Sequence, residues 1–257
     1  VLTVLGWHNV DATWRFPACP SAGRRGLTAQ LVALRRFAYV VDLDAALQDL
    51  AAGRRLPPRA VALTFDDGYA DNLHVAVPIL RSLDLPATFF LAPSFLDGTC
   101  VPWWERLGWA LATTGSDTLV WRGERYPVAT DAQRTAALVA LERIVKPMCE
   151  ADRTAAVDDL VQRLAPVVPF GRRAAMLDWE GAAELVRGGF TVGSHSWSHA
   201  ILANEQVAAQ RHDLASARRV LQGRLGVPCD LLAYPNGSPA DFTSATEDAA
   251  HAAGHVA

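Results

Sequence analysis

The chain lacks the marks of several large classes of protein. No apolar run reaches the ~18 residues that a bilayer-spanning helix needs; the best candidate, Leu85 to Leu96, is shorter and is interrupted by Pro86 and Pro93. Charge of either sign is not in excess: 24 Lys+Arg against 27 Asp+Glu leave −3. With a sequence pI of about 6.2, the basic surface that grips a phosphate backbone is missing, which argues against nucleic acid as a partner. Paired cysteines are missing too. Cys19, Cys100, Cys149 and Cys229 are scattered with no Cys-x-x-Cys among them, so neither a disulfide framework nor a thiolate metal site is expected, and single buried thiols are. There is no repeat, no low-complexity tract and no recognisable leader before the strand-like opening at Val1; localisation is left open, with the cytoplasm favoured. The closing stretch from His251 looks like a helix, a glycine stop and the start of a strand, so further fold is expected beyond Ala257.

What is present is a globular composition, 51% hydrophobic and 20% charged over 257 residues, which excludes intrinsic disorder and suits one α/β domain. Short apolar runs alternate with helical patterns, the pattern of parallel strands joined by helices. Strands are expected at Val1–Trp7, Val61–Phe65, Ala87–Ala92, Phe190–Gly193 and Asp230–Tyr234. Helices are expected at Leu27–Arg36, Leu43–Ala52, Asp71–Leu83, Asp178–Arg187, Asn204–Leu225 and Asp241–Ala253. Between the cycles, about 102–176 reads as a helical insertion into a single domain, with helices at Asp131–Lys146 and Ala151–Leu164 and strand character only at Thr118–Trp121 and Tyr126–Val128. Such a fold gathers its catalytic groups at the carboxyl ends of the strands.

Three strand ends carry chemistry. Leu63-Thr-Phe-Asp66-Asp67-Gly68 runs an apolar strand into adjacent carboxylates. Neighbouring side chains at a strand end diverge, so one can face a metal and the other a water or substrate; a solvated Asp-Asp-Gly turn is the alternative. Gly193-Ser-His195-Ser-Trp-Ser-His199 spaces two imidazoles at i and i+4, the same face of one helical turn. Two imidazoles and a carboxylate make a recurrent divalent-metal shell with positions left for water and substrate, although structural histidines share that spacing. Leu232-Ala-Tyr234-Pro-Asn236-Gly237 ends a strand in a turn whose N–H groups can face an oxyanion.

In this order, Thr-Phe-Asp-Asp-Gly, His-x-x-x-His and Ala-Tyr-Pro-Asn-Gly resemble the polysaccharide deacetylase family, the NodB-homology group of carbohydrate esterase family four. The opening Leu5-Gly-Trp-His8-Asn-Val is similar to that family's first strand. The resemblance implies a distorted (β/α) barrel of about seven strands. It also implies a divalent metal on Asp67, His195 and His199, with Asp66 as general base towards the attacking water and the Asn236 N–H on the oxyanion. Zinc suits the shell best, with cobalt, nickel or manganese as alternatives. The implied reaction removes N-acetyl groups from an amino sugar in a polysaccharide, oligosaccharide or glycoconjugate. An N-acetylated sugar is then the partner, and oligomeric state is left open. His8, Tyr69, Trp197 and Tyr234 are the candidate substrate contacts: His8 lining the cleft or bonding a carboxylate, Tyr69 at the pocket mouth or exposed on its turn, Trp197 stacking on a sugar face or packing. Trp103 and Trp104 are expected to pack, and His74 and His212 to lie on the surface. Many family members carry an arginine two residues before the proline, where this chain has Ala233, which resembles a recognised Tyr-Pro-x-Gly branch. No match to the family's histidine acid is found; His251 and His255 are candidates by position alone. The rival readings are a carbohydrate-binding pseudoenzyme and a deacylase acting on an O-acetyl ester or a formamide.

Overall fold

The computed structural model describes residues 1–16 and 23–256, so Cys19 and Ala257 lie outside the described residues. In chain order the elements are β1 (Leu2–Trp7), α1 (Gly23–Phe37), β2 (Tyr39–Val40), α2 (Leu43–Ala51), β3 (Ala60–Phe65), a π turn (Asn72–Ala76), α3 (Val77–Leu83), β4 (Thr88–Leu91) and α4 (Pro93–Leu96). There follow α5 (Trp103–Thr113), β5 (Thr118–Trp121), β6 (Glu124–Pro127), α6 (Asp131–Val145) and α7 (Glu150–Leu164). The chain continues with α8 (Trp179–Arg187), β7 (Thr191–Ser194), a 3-10 turn (Leu202–Asn204), α9 (Val207–Leu225) and α10 (Ser244–Ala253). They form two compact units: Val1–Ala12, Ala18–Cys100 and Ala175–Ala257 in one, Thr13–Pro17 and Val101–Ala174 in the other. Among the described residues no helix is long and apolar enough to cross a membrane.

The first unit is α/β, built on a parallel sheet in the order β1-β3-β4-β7, with β2 pairing the start of β3. All six residues of β3 are buried, as a strand covered on both faces requires. Phe65 stacks between Trp7 and Phe89, with ring centroids 5.6 and 5.2 Å away, and Leu63, Leu80, Leu91, Val192 and Leu185 complete the core around it. The register pairs Trp7 with Phe65, Phe65 with Phe89 and Leu91 with Ser194. His8, Asp66 and His195 therefore leave the sheet at the same edge.

The expected strand at Asp230–Tyr234 contracts to one parallel bridge, Ser194 to Leu232, held by Ser194 N→Leu231 O at 2.9 Å and Ala233 N→Ser194 O at 3.0 Å. Pro228 and Pro235 bracket it, and neither has an N–H to lengthen the ladder. Among the described residues five strands make this sheet, and the expected α/β fold class, a distorted (β/α) barrel, stands. Gly193 is needed where β7 passes Phe90: a Cβ there would lie 2.5 Å from the ring.

The expected helix Asp71–Leu83 opens as a π turn. Pro78 cannot donate to the carbonyl four residues back, and Val77 N bonds Asn72 O instead, an i→i+5 closure. The His74 carbonyl receives Arg24 Nη2 at 3.3 Å.

In the second unit α5, α6, α7 and the β5–β6 hairpin enclose Leu107, Leu111, Trp121, Leu141, Leu160 and Leu164. The hairpin turns at Arg122-Gly123, both with positive φ, as a two-residue loop requires. Thr130 and Gln133 form a capping box on α6. Trp104 is buried and Trp103 half-buried against this core, so both pack, as expected.

Candidate active site

Asp67, His195 and His199 converge, each buried, their candidate ligand atoms within 4.8 Å of one another. Asp67 Oδ1 lies 3.4 Å from His195 Nε2 and 3.3 Å from His199 Nε2. A tetrahedral shell with bonds of about 2.1 Å has edges of about 3.4 Å, so the spacing suits an ion such as zinc. Backbone conformation aims these groups. Asp67 and Gly68 turn sharply after β3 with φ of 70° and 81°. The expected helical turn at 195–199 is instead an irregular loop with Ser196 and His199 both at φ 60°, and it brings the rings to 4.9 Å at 72°.

Neighbours fix this loop from several sides. His195 N bonds Leu91 O at 3.0 Å, and Ser94 N of α4 donates to Trp197 O at 3.0 Å. Asp213 of α9 accepts Trp197 N at 2.8 Å. Phe95 lies parallel to the His199 ring at 6.4 Å.

The hydrogen bonding at His195 shows what the cluster holds. Its Nδ1 lies 2.9 Å from the Ala233 carbonyl, and a carbonyl only accepts, so Nδ1 carries the proton and, in the neutral ring, Nε2 presents a lone pair. That lone pair faces the buried Asp67 Oδ1, which has no hydrogen bond. Acceptor facing acceptor in a dry site is costly unless a cation sits between them. Titration agrees for Asp67 and His199, whereas in the ion-free site the neighbouring carboxylates favour a protonated His195. Burial raises the Asp67 carboxyl, but His199, His195 and His8 outweigh it and bring it down to about 2. Burial lowers His195, and Asp67 and Asp66 overcome it to raise the imidazole. His199, for which burial dominates, falls to about 3 and stays neutral. An ionised carboxylate and a neutral imidazole are the forms that ligate a metal.

Asp66 is half-buried beside the cluster, with Oδ1 enclosed and without a hydrogen-bond partner. Burial raises its carboxyl, against the opposing charges of His195 and His8. His8 follows β1 directly at the same end of the sheet, its side chain exposed, and its charge is felt at Asp66, Asp67 and His199. Asn236 is exposed in the turn after Pro235, with φ 62°. The Ala233 carbonyl that holds His195 lies on the same strand end.

The remaining candidates separate. Tyr69, expected at the pocket mouth or exposed on its turn, is buried and forms a bridge with Met176, because the chain after the acidic pair turns into the core. Trp197 is half-buried on the histidine loop. Tyr234 stacks on Phe242 at 4.6 Å and lines a cavity of about 450 Å³ with Leu232, Glu247, His251 and His255. Neither Asp66 nor Asp67 borders that cavity, so the two terminal histidines face different surroundings from the Asp67–His195–His199 cluster. His74 and His212 are exposed. Cys229 is buried, and its thiol is pushed up to about 12 by burial. Two groups were invisible in the sequence as parts of this region: Asp71 and Asn72, which bond the segment after β1.

Comparison with known proteins agrees with this architecture. Over 94 residues the chain is 32% identical to the poly-beta-1,6-N-acetyl-D-glucosamine N-deacetylase of Escherichia coli K12, a stretch covering 36% of this chain and 14% of that protein. The chain therefore spans only a small part of that curated relative. Among solved structures it resembles the Streptococcus pyogenes deacetylase PplD in complex with acetate, with TM-score 0.61 and 16% identity over 99% of this chain and 80% of that one. It also resembles IcaB from Ammonifex degensii, with TM-score 0.59 and 20% identity over 98% and 80%. The profile of the polysaccharide deacetylase family matches residues 53–257, and on that match the chain belongs to the polysaccharide deacetylase family.

Proposed function

We propose that the chain is a metal-dependent carbohydrate N-deacetylase that hydrolyses the acetamide of an N-acetylated amino sugar to acetate and a free amine. The observation that carries this reading is the buried meeting of Asp67 Oδ1 with the lone pair of His195 Nε2 and with His199 Nε2, beside a second carboxylate whose Oδ1 has no hydrogen-bond partner among the described residues. Asp67, His195 and His199 would hold a divalent ion, with zinc favoured over cobalt, nickel or manganese. When bound it supplies Lewis acidity and an acidified water.

The chain's own residues do the rest. Asp66, its carboxyl raised by burial, takes the proton of the attacking water as the C–O bond forms; a raised pKa makes it the better base near neutrality. The Asn236 N–H donates to the oxyanion. As the C–N bond breaks, the leaving nitrogen needs a proton. Of the seven histidines, two belong to the metal cluster, His74 and His212 are exposed on helices, and His251 and His255 line another cavity. His8, exposed like His74 and His212 but following β1 at the strand end, is the one of these whose charge acts on Asp66, and it is the acid in this reading.

The E. coli relative makes β-1,6-linked N-acetylglucosamine oligomers the first substrate to try. Zinc-loaded protein is incubated with these and with O-acetylated and N-formylated sugars, and the released acid is measured. Acetate from the N-acetyl sugar supports the reading. Acid from the ester or the formamide alone replaces it with the rival deacylase, and silence on all three with metal bound favours a carbohydrate binder.

A further inference from the structure

The two residues after the acidic turn have no part in the chemistry above, yet they make the long-range bonds that hold the segment carrying His8. The last ladder bond of β1 is Asp66 N→Trp7 O at 2.8 Å. Beyond it the parallel pairing stops, and His8 would swing on a free loop. Asn72 Nδ2 donates to the His8 carbonyl at 2.7 Å. Asp71 Oδ2 accepts from both Val10 N and Asp11 N at 2.7 Å, and Asn72 Nδ2 also reaches Asp71 Oδ1 at 3.1 Å. The backbone of His8 is thus gripped on its amino side by the base's own N–H and on its carbonyl side by this pair.

We infer that Asp71 and Asn72 are positioning residues that set the His8 imidazole against Asp66, an inference that rests on the role given to His8 above.

Asn72 is fully buried and its Oδ1 has no hydrogen-bond partner. A side chain kept only for packing would not bury an orphan acceptor, since an apolar residue of that size avoids the penalty. What the amide brings is its N–H donors, and those are spent on His8 O and Asp71. The π turn begins at Asn72 and Asp71 immediately precedes it, so the local unwinding forced by Pro78 starts where these side chains leave the helix. Such turns concentrate at functional sites.

The test compares zinc-loaded wild type with Asn72→Leu, Asp71→Asn, His8→Gln and the double variant His8→Gln/Asn72→Leu on β-1,6-linked N-acetylglucosamine oligomers. Positioning predicts that Asn72→Leu and Asp71→Asn lower kcat by about 10- to 100-fold, the scale of a misplacement near 1 Å, with KM and bound zinc unchanged. It also predicts that adding Asn72→Leu to His8→Gln costs nothing further, because both act through one group. NMR of the ring resonances supplies a readout independent of turnover: the His8 signals of metal-free Asn72→Leu, or of Asp71→Asn should the leucine variant not fold, move towards those of a mobile imidazole.

Wild-type kcat in both folded single variants, additive losses in the double variant, or unchanged His8 resonances would overturn the inference. If His8→Gln keeps full kcat, the acid assignment has failed instead. If no probe is turned over, the ring resonances alone decide whether the pair holds His8.

Discussion

In the helical unit, buried polar groups are provided for. Glu105 accepts from Thr13 Oγ1 at 2.7 Å and from Arg15 N at 3.0 Å, Thr114 donates to Leu164 O at 2.6 Å, and Arg153 donates to Met148 O at 3.0 Å. In the sheet unit, Asp66 Oδ1, Asp67 Oδ1, Asn72 Oδ1 and His255 Nε2 are enclosed without hydrogen bonds; among the described residues no such atom falls in the helical unit. Backbone conformation follows the same division. Among the described residues of the helical unit, the non-glycine residues with positive φ are Arg122 at the hairpin turn and Ala165 at a helix end, where geometry asks for them. In the sheet unit they include Asp67, Ser196, His199 and Asn236. One unit satisfies its buried polar side chains; the other leaves enclosed atoms without partners at the Asp66–Asp67 pair, and also at Thr88, Ser94, Ser194 and Arg218.

The sharpest way to break that contrast is at Asp66. Asp66→Asn should keep its metal and lose turnover by about 10²- to 10⁴-fold, the usual share of a general base, checked by elemental analysis beside acetate release. Retained turnover would mean that the enclosed carboxylate is not the base. Next comes Leu160→Ala in the helical unit, which should cost about 2–5 kcal/mol in denaturant unfolding and leave the metal content of the folded protein unaltered. Loss of metal would show that the division of labour is false.

A third effect belongs to His255. Burial, aided by Arg218, brings its pKa down to about 4 from the ordinary 6.5. Between those values the unfolded chain takes up a proton that the folded chain refuses, so this contribution is intact above about pH 6.5 and is lost as pH falls towards 4. His255→Gln should flatten the acid side of the stability curve by on the order of 2 kcal/mol; an unchanged slope removes His255 as its source. The smallest is Thr130→Ala, which opens the capping box of α6 and should cost about 1 kcal/mol in thermal or denaturant melts without touching activity.

Legibility followed sequence distance. Strands β3 and β4 are largely apolar runs and β7 is a short segment after Phe190, and each strand-end motif sits within a few residues of its strand, which makes Asp66, Asp67, His195 and His199 directly legible. β2, with two residues, is too short for any periodicity. The strand near 230 was legible as apolar but not as a single bridge, because its length is set by the prolines beside it. The π turn follows from Pro78, whose missing N–H leaves no mark on the helical periodicity. The hold of Asp71 and Asn72 on the segment after β1 spans 60 to 64 residues and needs the parallel register before it exists at all. Tyr69 lies neither at a pocket mouth nor exposed on its turn, because the chain after the acidic pair re-enters the core, which no local pattern signals.

The central claim is that three side chains from two loops, one after β3 and one after β7, share one ion. Calorimetric titration of zinc into metal-free protein, repeated on Asp67→Asn, tests it most directly. The account predicts one ion per chain in the wild type and none bound tightly in Asp67→Asn; zinc binding that is absent from the wild type, or indifferent to Asp67→Asn, would contradict it.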